Sequence, residues 1–340
     1  MITGSFITEV KAKMKKKDTT GIPVNIKPKP DKGVKRESDL RYDFKKNRLL
    51  LLMILPVIVF FFINSYLPMV GIYYAFTRFD FIGGLFGSPF VGLDNFRYLF
   101  QSGILLKLTA NTLLYNLAFI VIGNVLQVFV AILLSEISSR LFAKVSQSIM
   151  FFPYFISYVI VGVLVYNLFN FESGFINTLL QSYGLSPFNA YSTPSIWKYV
   201  LIALYIWKNL GYGSVIYLAA IMGIGTEYYE AAEIDGANIF QQIRHITLPS
   251  LIPTFIMLFL FSLGSIMRGQ FDLFYQVIGQ NGMLFDATDI IDTYVFRSLR
   301  MNFDIGMGTA AGLYQSVFGF VLIITVNWLI KRKHEEYALF

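Results

Sequence analysis

The chain has 340 residues, of which 55% are hydrophobic, 17% aromatic and 14% charged, with a mean hydropathy of +0.58. So little polar surface cannot cover a water-soluble fold, so composition excludes a soluble globular domain and predicts an all-α, polytopic membrane protein. The net charge of +7 is concentrated at one end, since residues 1–48 hold fourteen of the 28 Lys and Arg; it describes a tail, not a nucleic-acid-binding surface, and the absence of Cys excludes disulfides, thiolate metal sites and Cys nucleophiles. His245 and His334, the two histidines, leave no metal cluster to build.

Residues 1–48 mix Lys, Pro, Asp and Ser without period, as in VNIKPKPDKGVKRESD, and lack the apolar core and cleavage site of a secretory signal. They read as a mostly disordered, basic, cytoplasmic tail, either attracted to anionic lipid at ~1 kcal/mol per basic residue near the surface or serving only to fix topology. Met14 opens MKKKD, so Met1 and Met14 both stand as starts.

A membrane domain over 49–330 follows, with spans predicted at about 49–75, 111–134, 145–168, 195–221, 250–267 and 307–330. Each is close to or above the ~20 residues that cross a bilayer. Pro56 and Pro68 are expected kinks in the first. Between the first two spans, Leu93, Phe96, Leu99 and Phe100 fall on one helical face, which suits a helix lying along the outer interface. Six spans place both termini in the cytoplasm, where twenty of the 28 basic residues then lie, ending in the KRK stop and the tail 331–340.

The stretch EYYEAAEIDGANIFQQIRHITLP, residues 227–249, is the internal loop densest in small and charged residues. Two short helical segments are predicted in it, joined at Gly236, which permits a bend that a residue with a Cβ would resist. Ala231 and Ala232 make the first slim enough for close approach by another protein. In the second, Ile239, Phe240, Ile243, Ile246 and Thr247 share a side that can rest on the membrane and the chain's own spans, and Pro249 opens the next span, where its missing N–H costs least.

This loop resembles that of the membrane subunits of ABC importers, which carry EAA, three residues, Gly, nine residues, then I-x-L-P. Glu230, Ala231, Ala232, Gly236, Ile246, Leu248 and Pro249 match every fixed position. FVGLDNF at 90–96, Asn111-Thr112, GFINTLL at 174–180 and IYLAAIMGI at 216–224 are similar to the carbohydrate-importing branch. WKNLGYGSVIYLAA at 207–220 and DTYVFRSL at 292–299 resemble permeases for oligosaccharides and polysaccharide fragments. The resemblance implies a type I ABC importer fold in the plasma membrane of a prokaryote. It also implies an oligosaccharide substrate, a second homologous permease, a cytoplasmic ATPase dimer and an extracellular solute-binding protein, with the seven loop residues as the ATPase-coupling site.

No G-x-x-x-x-G-K-[ST] loop occurs in the chain, so ATP and Mg are expected on the partner ATPase, with no cofactor on this chain and no catalytic residue. For the solute path, Lys208 is the principal candidate: a charge about thirteen residues from either end of the fourth span is too deep to snorkel and needs a partner, a polar cavity or the pathway. Trp207, Asn209 and Tyr212 lie beside it; Asn124, Gln127 and Gln315 are further candidates, with Tyr158, Ser214, Ser262, Ser265 and Ser316 behind them. Amides suit sugar hydroxyls and flat rings suit their C–H faces, although interhelical hydrogen bonds explain the same residues. Asp286, Asp289, Asp292, Arg297 and Arg300 read as a solvated outer loop with internal ion pairs, or as a contact for the binding protein. Another organic solute, such as a glycerol-phosphate-type anion, remains open because Lys208 could neutralise it. An ion-coupled transporter is disfavoured by the lack of a clear midspan Asp or Glu, and a membrane-embedded enzyme by the scarcity of His, Cys and paired midspan carboxylates.

Overall fold

The structure, a computed structural model, describes residues 47–333; the basic tail up to residue 46 and the end from 334 lie outside them. Among the described residues the chain is helical, with one isolated antiparallel bridge, Thr77 to Phe90. Four helices are long and apolar enough to cross a membrane, or six if each of two sharply bent pairs is one span.

The chain divides after Ile63 into two compact units. In the first, helix α1 (Arg48–Phe61) contains Pro56 and has no buried residue. Leu49, Met53 and Phe60 are each more than half exposed. A helix apolar on every side is soluble in lipid and not in water.

The second unit opens with a 3₁₀ segment, Leu67–Phe76, which places Pro68 in its first turn, where no N–H is required. Then come α2 (Asp94–Gln101), α3 (Ile104–Ser135), α4 (Arg140–Phe155), α5 (Tyr158–Phe169), α6 (Phe175–Ser182), α7 (Pro194–Met222) and α8 (Thr226–Ile234). After a short turn of helix, Ile239–Gln242, and a π-helical turn, Ile243–Thr247, follow α9 (Leu248–Leu263), α10 (Phe271–Ile278), α11 (Ile291–Arg300) and α12 (Ile305–Lys333).

Helices α3 and α7 form the spine. Toward one end Tyr115 and Phe119 of α3 and Trp197 and Leu201 of α7 share a core with Val161 and Val165 of α5 and Leu273 and Phe274 of α10. Toward the other, Ala131 and Ile132 pack with Tyr217, Leu218 and Leu251. Where α7 crosses α4, a Cβ on Gly211 would lie 2.1 Å from Met150 O, so only glycine allows that approach.

Several motif residues turn out to be clamps. Asn95 donates to Ala75 O (2.9 Å) and Thr77 O (3.0 Å). The 2%-exposed Asn177 of GFINTLL donates to Phe171 O and Phe188 O and accepts from Phe188 N. Asn111 donates to Asp289 O, and Thr112 Oγ1 accepts from Ile291 N at 3.1 Å while donating to Leu108 O. Each short polar side chain satisfies backbone groups that an apolar interior would leave without partners.

Two expectations change. The face Leu93, Phe96, Leu99 and Phe100 is split: Leu99 is fully buried and Phe96 packs with it against Ala75, Leu105 and α12, whereas Leu93 and Phe100 are exposed. Tertiary packing draws half of that stripe into the bundle. The stretch 145–168, expected as one span, is not one straight helix but carries a sharp break, with α4 and α5 meeting at 93°. Pro153 lies near the end of α4, Ile156 is extended, and the Ser157 hydroxyl caps α5 by accepting from Ile160 N.

Candidate functional site

Two sites can be built from the residues upward, one at the 227–249 loop and one inside the bundle. Helix α8 leaves α7 at 68°. It stops where Ala237 N donates to Ala232 O (2.8 Å) and Gly236 N to Glu233 O (3.0 Å), with Gly236 at φ +77° and open space where a Cβ would stand. This is a Schellman end, and the left-handed glycine is its requirement. The next helical turn starts with a reciprocal box in which Asn238 Oδ1 accepts from Gln241 N and Gln241 Oε1 from Asn238 N.

The loop residues divide by exposure. Glu230, Ala231 and Gly236 are exposed and Ala232 half-buried, next to the exposed side chains of Tyr228 and Ile234. Behind that face Tyr229 OH and Thr247 Oγ1 share a hydrogen bond of 3.0 Å, which ties α8 to the turn before α9. Ile246 is half-buried; Leu248 and Pro249 are exposed in the first turn of α9. Of the apolar stripe expected to rest on the spans, Thr247 is buried, whereas Phe240 stands 79% exposed.

Within the bundle α3, α4, α7 and α9 enclose a cavity of about 290 Å³. Asn116, Asn124 and Gln127 line it from α3, Tyr205, Asn209 and Tyr212 from α7, and Tyr154 from the end of α4, with Ser262, Ser265 and Gln270 opposite. Tyr154 and Tyr212 stack at 4.7 Å and 11°, and Phe119 and Tyr205 at 4.0 Å and 18°, so the wall is made of flat paired rings. The amides donate to backbone: Asn124 to Ile120 O, Asn209 to Tyr205 O, and Asn116 to Ile266 O. Tyr217 OH donates to Asn124 Oδ1 at 2.7 Å. Among the described residues no buried side-chain N or O lacks a partner. The carbonyl oxygens of Asn116 and Gln127, which accept from no described group, are therefore left open as acceptors.

The predicted path residues thus separate. Asn124, Gln127, Asn209 and Tyr212 come together, with Ser262 and Ser265. Lys208 does not line this cavity; it is 8% exposed and faces a neighbouring recess with Tyr158 and Asp272, donating to Pro153 O, Tyr154 O and Ile156 O. Trp207, the next residue, is 42% exposed and lines neither. Gln315 donates to Met267 O (2.6 Å) and Asp292 Oδ2 (3.0 Å) beside Arg268 and Ser316, in a separate recess.

Asn116 and Tyr205 were legible and missed, because they stand two turns before Asn124 and one before Asn209 on the same faces. Tyr154 carried no such signal, since the break after α4 brings it in. Of the acidic run, Asp289 pairs with Arg297 at 2.5 Å and Asp286 with Lys107, while Asp292 accepts from Gly269 N. Arg297 also lies 4.0 Å over Phe285, and burial pushes the phenol of neighbouring Tyr294 up from its ordinary value.

Comparison with known proteins adds an independent line. Residues 123–335 match the family described as binding-protein-dependent transport system inner membrane component. The chain is 32% identical, over 86% of its length and 90% of the relative's, to the polygalacturonan/rhamnogalacturonan transport system permease protein YteP of Bacillus subtilis (strain 168). It is 28% identical, over 85% of its length and 93% of the relative's, to the trehalose/maltose transport system permease protein MalF of Thermococcus litoralis. Among solved structures it is similar to a chain of a bacterial ABC transporter involved in the import of the acidic polysaccharide alginate, with a TM-score of 0.78 and 32% identity, covering 87% of this chain and 99% of that one. The same kind of transporter has been solved in complex with an alginate pentasaccharide-bound periplasmic protein, and there the TM-score is 0.76.

Proposed function

Because the chain belongs to the binding-protein-dependent transport system inner membrane components, as a permease of the ABC importers for sugars and polysaccharides, we propose that it carries oligosaccharides inward through the cavity between α3, α4, α7 and α9. The observation that carries this reading is the lining: stacked tyrosines for the C–H faces of a sugar, and amide oxygens without partners for its hydroxyls. Uncharged hydrogen-bonding groups and aromatic planes bind a carbohydrate without the desolvation cost of a charge.

In this reading the chain crosses a prokaryotic plasma membrane six times with both termini in the cytoplasm, and the bent pair α4–α5 is one span. The exposed face of α8, Glu230 to Gly236, docks on a cytoplasmic ATPase dimer that binds ATP and Mg. Ile246, Leu248 and Pro249 fix that helix to the membrane domain. Since α7 both leads into α8 and lines the cavity, a displacement of α8 by ATPase closure is passed directly to the solute path. A second homologous permease completes the path, and an extracellular solute-binding protein delivers the sugar. A ligand that favours one of two such states shifts the equilibrium only by its difference in affinity for them, so loaded binding protein and ATP must each prefer a state.

The test is to purify the complex in mild detergent and measure its ATPase rate with binding protein loaded with galacturonic-acid, alginate or neutral oligosaccharides. Stimulation by a loaded form and not by the empty one supports the proposal, and the stimulating sugar names the class. A chain that purifies without an ATPase and binds none through residues 227–249 refutes it.

A further inference from the structure

The break in the span formed by α4 and α5 sets an electrostatic problem that another helix solves. A helix ending inside a membrane domain leaves its last carbonyls without intrahelical donors, and such groups are costly in an apolar medium. At the end of α4 the carbonyls of Tyr154 and Ile156 are such groups, and that of Pro153 has from its own helix only the 3.2 Å bond donated by Ile156 N. All three accept from one atom, Lys208 Nζ of α7, at 3.2 Å for Pro153 and 2.7 Å for Tyr154, and Ile156 as well. An ammonium has three N–H donors, so every one is consumed by backbone. Its charge sits at the negative end of a helix dipole and 5.7 and 5.0 Å from the ring centres of Tyr154 and Tyr158. Among the described residues no carboxylate pairs with it.

The carbonyl held at 2.7 Å belongs to the residue whose ring stacks on Tyr212 and forms the cavity wall. We propose that Lys208 is a positioning residue for solute recognition: it does not touch the solute, but locks the corner between α4 and α5 and so fixes the Tyr154–Tyr212 wall. This rests on the cavity being the solute path.

The chain contains no Cys, so Lys144→Cys on α4 and Val163→Cys on α5, both exposed, report the corner as a spin-label distance in the assembled transporter. The same complexes are assayed for transport with binding protein carrying galacturonic-acid or alginate pentamers. Lys208→Met is expected to broaden the distance distribution and raise KM about tenfold with a smaller change in kcat, as misplacement of a binding group by a fraction of an ångström does. Lys208→Arg, which keeps charge and donors, restores most of both. Tyr212→Ala raises KM and leaves the distance unchanged. A raised KM in Lys208→Met with the native distance overturns the inference, because Lys208 then meets the solute itself; so does native behaviour of that variant alongside a defective Tyr212→Ala. If neither variant moves KM, the cavity reading fails and takes this inference with it. Should Lys208→Met not assemble, Lys208→Arg carries the test on the same two readouts: any loss of affinity must come with a broadened distance, and a loss without it overturns the inference.

Discussion

Replacing Gly211 by Ala puts a methyl carbon 2.1 Å from Met150 O, 2.4 Å from Met150 C and 2.7 Å from Phe151 N. These are backbone atoms of α4, so no side chain can swing aside. A carbon and a carbonyl oxygen sit comfortably no closer than about 3.3 Å, which forces α4 and α7 apart by roughly 1 Å and forfeits much of the dispersion energy along the crossing. Overpacking of this kind costs about 1–3 kcal/mol, against which Ala gains about 1 kcal/mol of helix propensity over Gly. The net is a loss of up to ~2 kcal/mol. Gly123 of α3 is the matched control: it is buried but has nothing within 4 Å of a Cβ, so Gly123→Ala receives the propensity gain without the clash. Heating the detergent-solubilised complex and following the monodisperse fraction by fluorescence-detected gel filtration reads both. Gly211→Ala is expected to lower the midpoint by several degrees and Gly123→Ala to leave it unchanged or raised. Midpoints that move together would show that the crossing is not set by glycine at 211.

Three further outcomes are expected. Glu230→Ala and Gly236→Val are expected to assemble normally yet lose sugar-stimulated ATPase activity and transport, the second because a branched residue at φ +77° costs about 1–2 kcal/mol and undoes the end of α8; normal transport by both would remove the docking assignment. Gln127→Ala is expected to raise the transport KM severalfold with no change in melting, since its described bond, to Asn209 O, is a weak 3.4 Å; an unchanged KM with every tested sugar counts against the cavity. Arg297→Ala strips two bonds from the largely hidden Asp289, worth about 1.5–3 kcal/mol, and is expected to lower the melting midpoint and expose residues 279–304 to protease. Lys107→Ala removes only an exposed pair and is expected to stay within ~1 kcal/mol of the parent, so equal effects of the two would overturn the distinction.

How much of this was legible in the sequence depends on the range of the interaction concerned. Apolar runs announce membrane helices because the bilayer acts on each stretch by itself. The Glu230 to Pro249 spacing announced its loop because a short helix, a left-handed glycine and a proline-led span are all local events. The cavity was legible by half: Asn124 with Gln127, and Asn209 with Tyr212, can be read as faces of two helices, and helical arithmetic extends each face to Asn116 and Tyr205.

What the tertiary structure decided is how those faces meet. At the corner around Ile156 the side-chain donors for the carbonyls arrive from Lys208, more than fifty residues away in the chain. A span with Pro153 near its middle reads as continuous until that partner is in place. The same distance explains why Lys208 carried two readings: depth in a span says that a charge must have a partner, and cannot say whether the partner is a solute or a backbone. Composition and local period therefore determined that this chain lives in a membrane and presents the 227–249 loop. Contacts between distant segments determined which of its polar side chains face the cavity and which of them hold the bundle in shape, because a buried polar group is defined by its partner and the partner lies on another helix.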